Sequence, residues 1–308
     1  MLEIKQLYKR YGKFVALDHI DLQLDQGSIF GFVGPNGAGK TTTMRILATL
    51  MPPTGGEAYI GGVSVTQSPK EVRSMIGYMP DFFGVYDNLK VSEYLDFYGS
   101  AAGLPYKERQ KTLDDLLELV YLGDKKDTYV DSLSRGMKQR LCLARSLIGN
   151  PKLLILDEPA SGMDPRARVE MKGILKTLKD MDKTILISSH ILPELAELCD
   201  VFGIIEHGKF QFTGTMDEIS QKMRGSKILA IKTLGQTEEL MNYLRQRPEL
   251  HDIILQDEKI KAAFSGDEKT AQTLLRDLVL ENFPLLGFGL EQENLENVFM
   301  EVTRNEEN

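Results

Sequence analysis

Between Gly34 and Thr41 the chain reads Gly-Pro-Asn-Gly-Ala-Gly-Lys-Thr, which fits the pattern G-x-x-x-x-G-K-[ST]. Residues of these types at this spacing hold phosphate. Glycines let successive backbone N–H groups turn inward around an anion. A helix that follows points its positive end at the same place. Lys40 adds a full charge that reaches the outer phosphates, and the Thr41 hydroxyl can ligate Mg²⁺. Gly34, Pro35, Asn36, Gly37, Ala38, Gly39, Lys40, Thr41 and Thr42 are the candidate phosphate-binding residues.

A second cluster lies at Leu153-Leu154-Ile155-Leu156-Asp157-Glu158, an apolar strand ending in two carboxylates. Ligands of a parallel sheet gather at the carboxyl ends of its strands. Asp157 is placed there to hold Mg²⁺, directly or through water. Glu158, on the other side of the strand by alternation, is placed to align or deprotonate a water. A phosphate loop alone would serve a nucleotide kinase; the adjacent acid pair favours hydrolysis.

These residues need elements to hold them. Ser28 to Val33 is a compact apolar run between Gly27 and Gly34, which suits a buried strand. Thr41 to Met51 reads as a helix with Ile46, Leu47, Leu50 and Met51 as its apolar stripe, stopped by Pro52-Pro53. Residues 1–25 read as short strands with a turn at Gly12-Lys13, and residues 56–80 as further strands. From about Val91 to Asn150 the pattern is helical, with Leu113, Leu116, Leu117 and Val120 at i, i+3, i+4, i+7. Pro165 to Asp180 is a helix whose face carries Met171, Ile174, Leu175 and Leu178, and Thr184 to Ser189 is another buried strand. Strands alternating with helices predict an α/β fold with a parallel-sheet core covered on both faces.

Near Gly225-Ser226 the texture changes. Residues 227–293 read as strand, helix, strand, strand, helix, strand, a small α+β module whose second helix carries Ala271, Leu274, Leu275, Leu278 and Val279 on one stripe. The expected domains are 1–224 and 225–308, the latter closing with a helix over Asn294 to Thr303 and a frayed tail.

The chain has 308 residues, enough for about two domains. Lys plus Arg is 37 against 45 Asp plus Glu, a net charge of −8, which makes nucleic acid a poor partner. Cys142 and Cys199 have no metal-ligand spacing and are expected as reduced thiols. No apolar run approaches the ~18 residues of a membrane span, and the N-terminus lacks a signal pattern.

Taken together, these motifs resemble the nucleotide-binding subunit of ATP-binding cassette (ABC) transporters over about residues 2–222. The phosphate loop and the Leu153-to-Pro159 strand are similar to the family's two Walker motifs. Leu133-Ser134-Arg135-Gly136-Met137 stands where the family has its LSGGQ signature, Ser161-Gly162-Met163-Asp164 matches the D-loop, and His190 matches the switch histidine. Tyr11, with Tyr8 as its competitor, falls where the family stacks an aromatic ring on adenine. Two positions depart: the signature reads Ser-Arg-Gly-Met, and Asp81 replaces the Q-loop glutamine. Both departures, and the tail Leu295-Glu296-Asn297-Val298-Phe299, resemble bacterial exporters whose membrane subunits are separate chains.

The resemblance implies a P-loop ABC ATPase that binds ATP and Mg²⁺. It implies Glu158 and His190 as catalytic residues, Ser134, Gly136 and Asp164 as further nucleotide-binding residues, and Thr41, Asp157 and Asp81 as metal ligands. It implies a head-to-tail pair of cassettes, of identical or paralogous chains, in which the signature of one faces the phosphate loop of the other. It further implies an integral-membrane permease as partner, met through the Asp81–Asn88 region with Phe82, Phe83 and Tyr86, and a place on the cytoplasmic face of the plasma membrane. The competing readings are a soluble ABC ATPase of the iron–sulfur assembly type and a nucleotide sensor without turnover.

Overall fold

A turn at Gly12-Lys13 folds the first residues back on themselves, pairing β1 (Leu2–Tyr11) with β2 (Phe14–Leu24) from Leu2↔Leu24 to Tyr11↔Phe14. The computed structural model describes the chain except residues 83, 85, 87, 224–226, 257–258 and 292–308. The first strands are long, not short, because alternate residues bury along one continuous face, Leu2 and Ile4 on β1 and Ile20, Leu22 and Leu24 on β2. Next come β3 (Ile29–Val33), α1 (Lys40–Leu47), β4 (Gly55–Ile60), β5 (Val63–Ser64), α2 (Pro69–Met75) and β6 (Ile76–Met79). The helical segment holds α3 (Val91–Ala101), α4 (Tyr106–Leu119) and α5 (Arg135–Leu147). Then β7 (Leu153–Leu156), α6 (Pro165–Asp180), β8 (Thr184–Ser189), α7 (Leu192–Ala196), β9 (Val201–Glu206) and β10 (Lys209–Gly214) follow.

Every residue of β3, β7 and β8 is buried, as their unbroken apolar runs predict for strands covered on both faces. They belong to a six-stranded sheet of order β10-β9-β3-β8-β7-β6, in which β9, β3, β8, β7 and β6 run parallel and β10 antiparallel. The register pairs Val33 with Ser189, Leu156 with Ile187, and Met79 with Leu156. The carboxyl ends of four adjacent strands therefore lie side by side. An antiparallel sheet of order β2-β1-β4-β5 completes the layers, and one apolar cluster joins residues of both sheets, among them Leu7, Leu17, Phe32, Met44 and Ile155.

Two local expectations need correction. The helix after the phosphate loop closes at Leu47, not Met51: Thr49 adopts a left-handed φ of +60°, so the chain turns before Pro52, and Leu50 is exposed. Residues 56–80 are not strands throughout, since Pro69, at a first-turn position, starts α2. That helix buries Val72 alone, which leaves too little periodicity to read from sequence. The stripes on α4 and α6 bury as expected.

The Cα packing divides the chain into Met1–Met216 and Asp217–Asn308. After α8 (Met216–Met223), the second unit contains β11 (Lys227–Thr233), α9 (Thr237–Leu244), β12 (Leu250–Gln256), β13 (Lys259–Phe264), α10 (Glu268–Leu280) and β14 (Leu285–Glu291). Its sheet is antiparallel, in the order β12-β13-β11-β14. Asp267 caps α10, accepting from Thr270 N at 2.9 Å. Ala271, Leu274 and Leu278 enter the unit's core, but Val279 is exposed and leaves the expected stripe. The closing helix expected over 294–303 lies outside the described residues.

Leu278 is fully buried in that core. Leu278→Ala is expected to cost the second unit about 3 kcal/mol of unfolding free energy, read by urea denaturation and by faster amide exchange in α9 and α10. Unchanged exchange there would contradict this packing.

Candidate active site

Glycine sets the shape of the loop between β3 and α1. Gly37 (φ +85°) and Gly39 (φ +114°) both take left-handed backbone angles. A Cβ on Gly39 would fall 2.7 Å from the Ala16 carbonyl oxygen, so packing also excludes a side chain there. Around Gly37 nothing lies within 4 Å of such an atom, which leaves that face of the loop open to an anion.

Lys40, the first residue of α1, is 5% exposed. Its ammonium donates to the Gly34 and Pro35 carbonyls, the latter at 3.2 Å, and lies 3.6 Å from Glu158 Oε1. Burial pulls its pKa down, while Glu158 and Asp157 pull it back up.

Asp157, just past β7, is fully buried. Ser188 Oγ donates to Asp157 Oδ1 at 2.8 Å and accepts from Glu158 N at 2.9 Å. Asp157 Oδ2 has no hydrogen-bond partner among the described residues. Burial raises the Asp157 pKa; the Ser188 and Thr41 hydroxyls oppose that shift, and the charge of Asp81 adds to it. A buried carboxylate oxygen without a partner costs about 1–3 kcal/mol. A cation beside Thr41 and Asp157 would satisfy it. Among the described residues no cluster of three or more His, Cys, Asp or Glu could hold a metal. The donor set is thus one carboxylate and one hydroxyl, which suits Mg²⁺ sharing its shell with phosphates and water.

Glu158 does not reach its position by strand alternation, as the sequence suggested. Its φ is +49°, so the backbone leaves the strand in a left-handed turn that Ser161 N closes onto Glu158 O at 3.0 Å. The turn aims the carboxylate at two groups: Oε2 lies 2.9 Å from His190 Nδ1, and Oε1 faces Lys40. His190 follows directly on β8, so the neighbouring ends of β3, β7 and β8 bring Lys40, Asp157, Glu158 and His190 together.

Asp81 is exposed just beyond β6; its charge bears on both Asp157 and Lys40, which places it at this edge. Phe82 is 91% exposed, Tyr86 packs edge-on against Phe97, and Phe83 lies outside the described residues. Tyr8 stacks on His19 with ring centroids 4.9 Å apart. Tyr11 is half-exposed at the hairpin tip, its hydroxyl 3.1 Å from Met51 Sδ and its ring under the Lys9 ammonium. Phe14, paired with Tyr11 and exposed, is a third ring at that tip that sequence reading passed over.

Ser134 and Gly136 stand at the start of α5. Ser134 caps α5, accepting from Met137 N at 3.3 Å, and Gly136 sits against Ala167. Asp164 caps α6, accepting from Ala167 N at 2.9 Å. Gln139 Nε2 donates to Ser161 O at 2.8 Å, and the Arg135 guanidinium covers Gly162 so closely that a Cβ there would meet its Cζ at 2.4 Å. Ser188, whose hydroxyl joins Asp157 to Glu158, escaped sequence reading; its only signal is a polar residue ending a buried apolar strand. Burial raises both thiols, Cys142 to about 11, so they are protonated at neutral pH.

Residues 17–161 match the family model described as ABC transporter. The chain is 30% identical to the linearmycin resistance ATP-binding protein LnrL of Bacillus subtilis, over 98% of each chain. It is 35% identical to the bacitracin transport ATP-binding protein BcrA of Bacillus licheniformis, over 98% of this chain and 97% of that one. A solved ATP-binding subunit of an ABC transporter superposes with a TM-score of 0.66 at 31% identity, covering 73% of this chain and 93% of its own.

Because folding raises the Asp157 pKa, the folded chain holds that proton more tightly than the unfolded chain. Its contribution to stability is complete below the ordinary value of 3.8 and is lost as pH rises through the raised folded value. Asp157→Asn is therefore expected to melt at or above the wild-type temperature at pH 7. It should also lose the extra stabilisation that Mg²⁺ adds to ATP. A variant that melts well below wild type at pH 7, or keeps the Mg²⁺ effect, would contradict the assignment.

Proposed function

The chain belongs to the ABC transporter family of ATP-binding proteins, and on that premise we propose that its hydrolysis of ATP powers export through a separate membrane permease. The observation that carries this reading is the meeting of Lys40, Asp157, Glu158 and His190 at adjacent strand ends. The names of the relatives, which concern resistance and transport, support the direction.

In this reading the loop amides and Lys40 bind the phosphates, and Thr41 and Asp157 would hold Mg²⁺, with Asp81, whose charge bears on Asp157, as the further candidate ligand. Mg²⁺ when bound supplies charge neutralisation at the outer phosphates. Glu158 orients the attacking water, and His190, within hydrogen-bond reach of Glu158, fixes that carboxylate and faces the terminal phosphate. Tyr11 offers the adenine ring a stacking surface.

Ser134, Gly136 and the first-turn amides of α5 serve a second cassette. Their positive helix end caps the triphosphate bound by the partner's phosphate loop. Nucleotide then bridges two chains, and hydrolysis removes the bridging charge and lets them part. Asp164 joins this interface from the N-terminus of α6. No helix among the described residues is long and apolar enough to cross a membrane, and the permease meets the chain at the Asp81–Asn88 region, where Phe82 is exposed. In this reading the chain works against the cytoplasmic face of the plasma membrane.

Glu158→Gln keeps the shape and one acceptor oxygen but turns the other into an amide donor and removes the base. Turnover is expected to fall by about 10²-fold or more, while ATP binding persists and ATP now accumulates a dimer in light scattering. Turnover near wild type would remove Glu158 from the chemistry.

A further inference from the structure

His190 stands at the end of β8 with half of its side chain in solvent, yet its Nδ1 meets Glu158 Oε2 at 2.9 Å. Something must hold the backbone that carries it. Ser189 Oγ accepts from Ile191 N at 3.0 Å, forming a tight turn with His190 inside it. The same hydroxyl donates to Glu194 Oε2 at 3.0 Å. The other oxygen of that carboxylate, Oε1, takes Arg168 Nη1 at 3.0 Å, and Arg168 lies one turn into α6. An unbroken path of one ion pair and two hydrogen bonds thus runs from α6 through Glu194 and Ser189 to the peptide that follows His190.

The surroundings make this path matter. Between α6 and α7, behind Glu158 and Ser188, lies a small cavity of about 30 Å³ walled by the buried side chains of Met171, Leu175, Leu195 and Leu198. Those apolar contacts hold α7 against α6, but being non-directional they leave the set of the His190 turn to the polar path. A second tie, Lys172 to Glu197 at 3.6 Å, involves a carboxylate 72% exposed, where ion pairs contribute little. Glu194 is only 18% exposed and uses both oxygens, so its bonds are the stronger restraint.

We propose that Glu194, bridging Arg168 and Ser189, is a positioning residue that holds the Ser189–Ile191 turn so that His190 meets Glu158. The proposal rests on the role given to Glu158 and His190 above. It adds that the N-terminal part of α6, which begins at the Asp164 cap, is wired to the His190 turn within one chain.

The test uses the full-length chain and its steady-state ATP turnover. Glu194→Ala is expected to lower kcat by about tenfold or more, with KM for ATP changing less than about twofold, because displacement of aligned groups by an ångström costs up to ~10²-fold. Ser189→Ala should do the same, and the double variant should be no worse than either alone, since both break one path. Glu194→Gln keeps an acceptor for Ser189 but loses the ion pair with Arg168, and should recover part of the rate, falling between Glu194→Ala and wild type. Glu197→Ala, which breaks only the exposed tie, should leave the rate unchanged. Amide exchange at His190 and Ile191 should quicken in Glu194→Ala while exchange in β7 and β8 stays as in wild type. Wild-type turnover in Glu194→Ala, additive losses in the double variant, or exchange that quickens throughout the sheet would overturn the proposal. Turnover that survives Glu158→Gln would instead sink the reading beneath it.

Discussion

Two opposite charges, the Lys40 ammonium and the Asp157 carboxylate, are carried into the interior at the same edge of one sheet. Each is desolvated, and each answers with a pKa displaced toward its neutral form. The protein compensates only in part. Lys40 spends itself on two loop carbonyls, and Asp157 has one hydroxyl for one oxygen. What remains unsatisfied, Asp157 Oδ2 and Glu158 Oε1, faces the region where phosphate and its cation would sit. A site built this way holds free energy in reserve for a charged ligand.

The sheet is what makes such a concentration of charge tolerable. Parallel pairing of β3, β8, β7 and β6 sets four strand ends in line, so a loop, an aspartate, a glutamate and a histidine from distant parts of the chain converge without long side chains having to reach. The left-handed turn at Glu158 is a costly backbone feature at this edge. It is stitched to β8 through Ser188, whose hydroxyl serves both the carboxylate before it and the peptide within it.

Much of this was legible in the residues. Motifs that depend on contiguous sequence, such as the phosphate loop and the acid-ended strand, name their own chemistry, and unbroken apolar runs named β3, β7 and β8. Features that depend on tertiary context did not show. The end of α1 turns on one left-handed threonine, and α2 buries too little to leave a period. Val279 sits on the stripe by count but outside the core by geometry. The aim of Glu158 and the parts played by Ser188 and Glu194 required the neighbouring strand and helix to be in place.

Gly162 and Arg135 lie far apart in sequence yet fill one another's space, the guanidinium resting where any other residue would put its first side-chain carbon. With Gln139 anchored on Ser161 O and Gly136 against Ala167, the start of α5 and the turn before α6 form a matched lock and key inside a single chain. Hybrid proteins that graft one of these segments from a relative must carry the other along. A donor segment with bulk at position 162 would drive the arginine outward and reshape the surface at the start of α5.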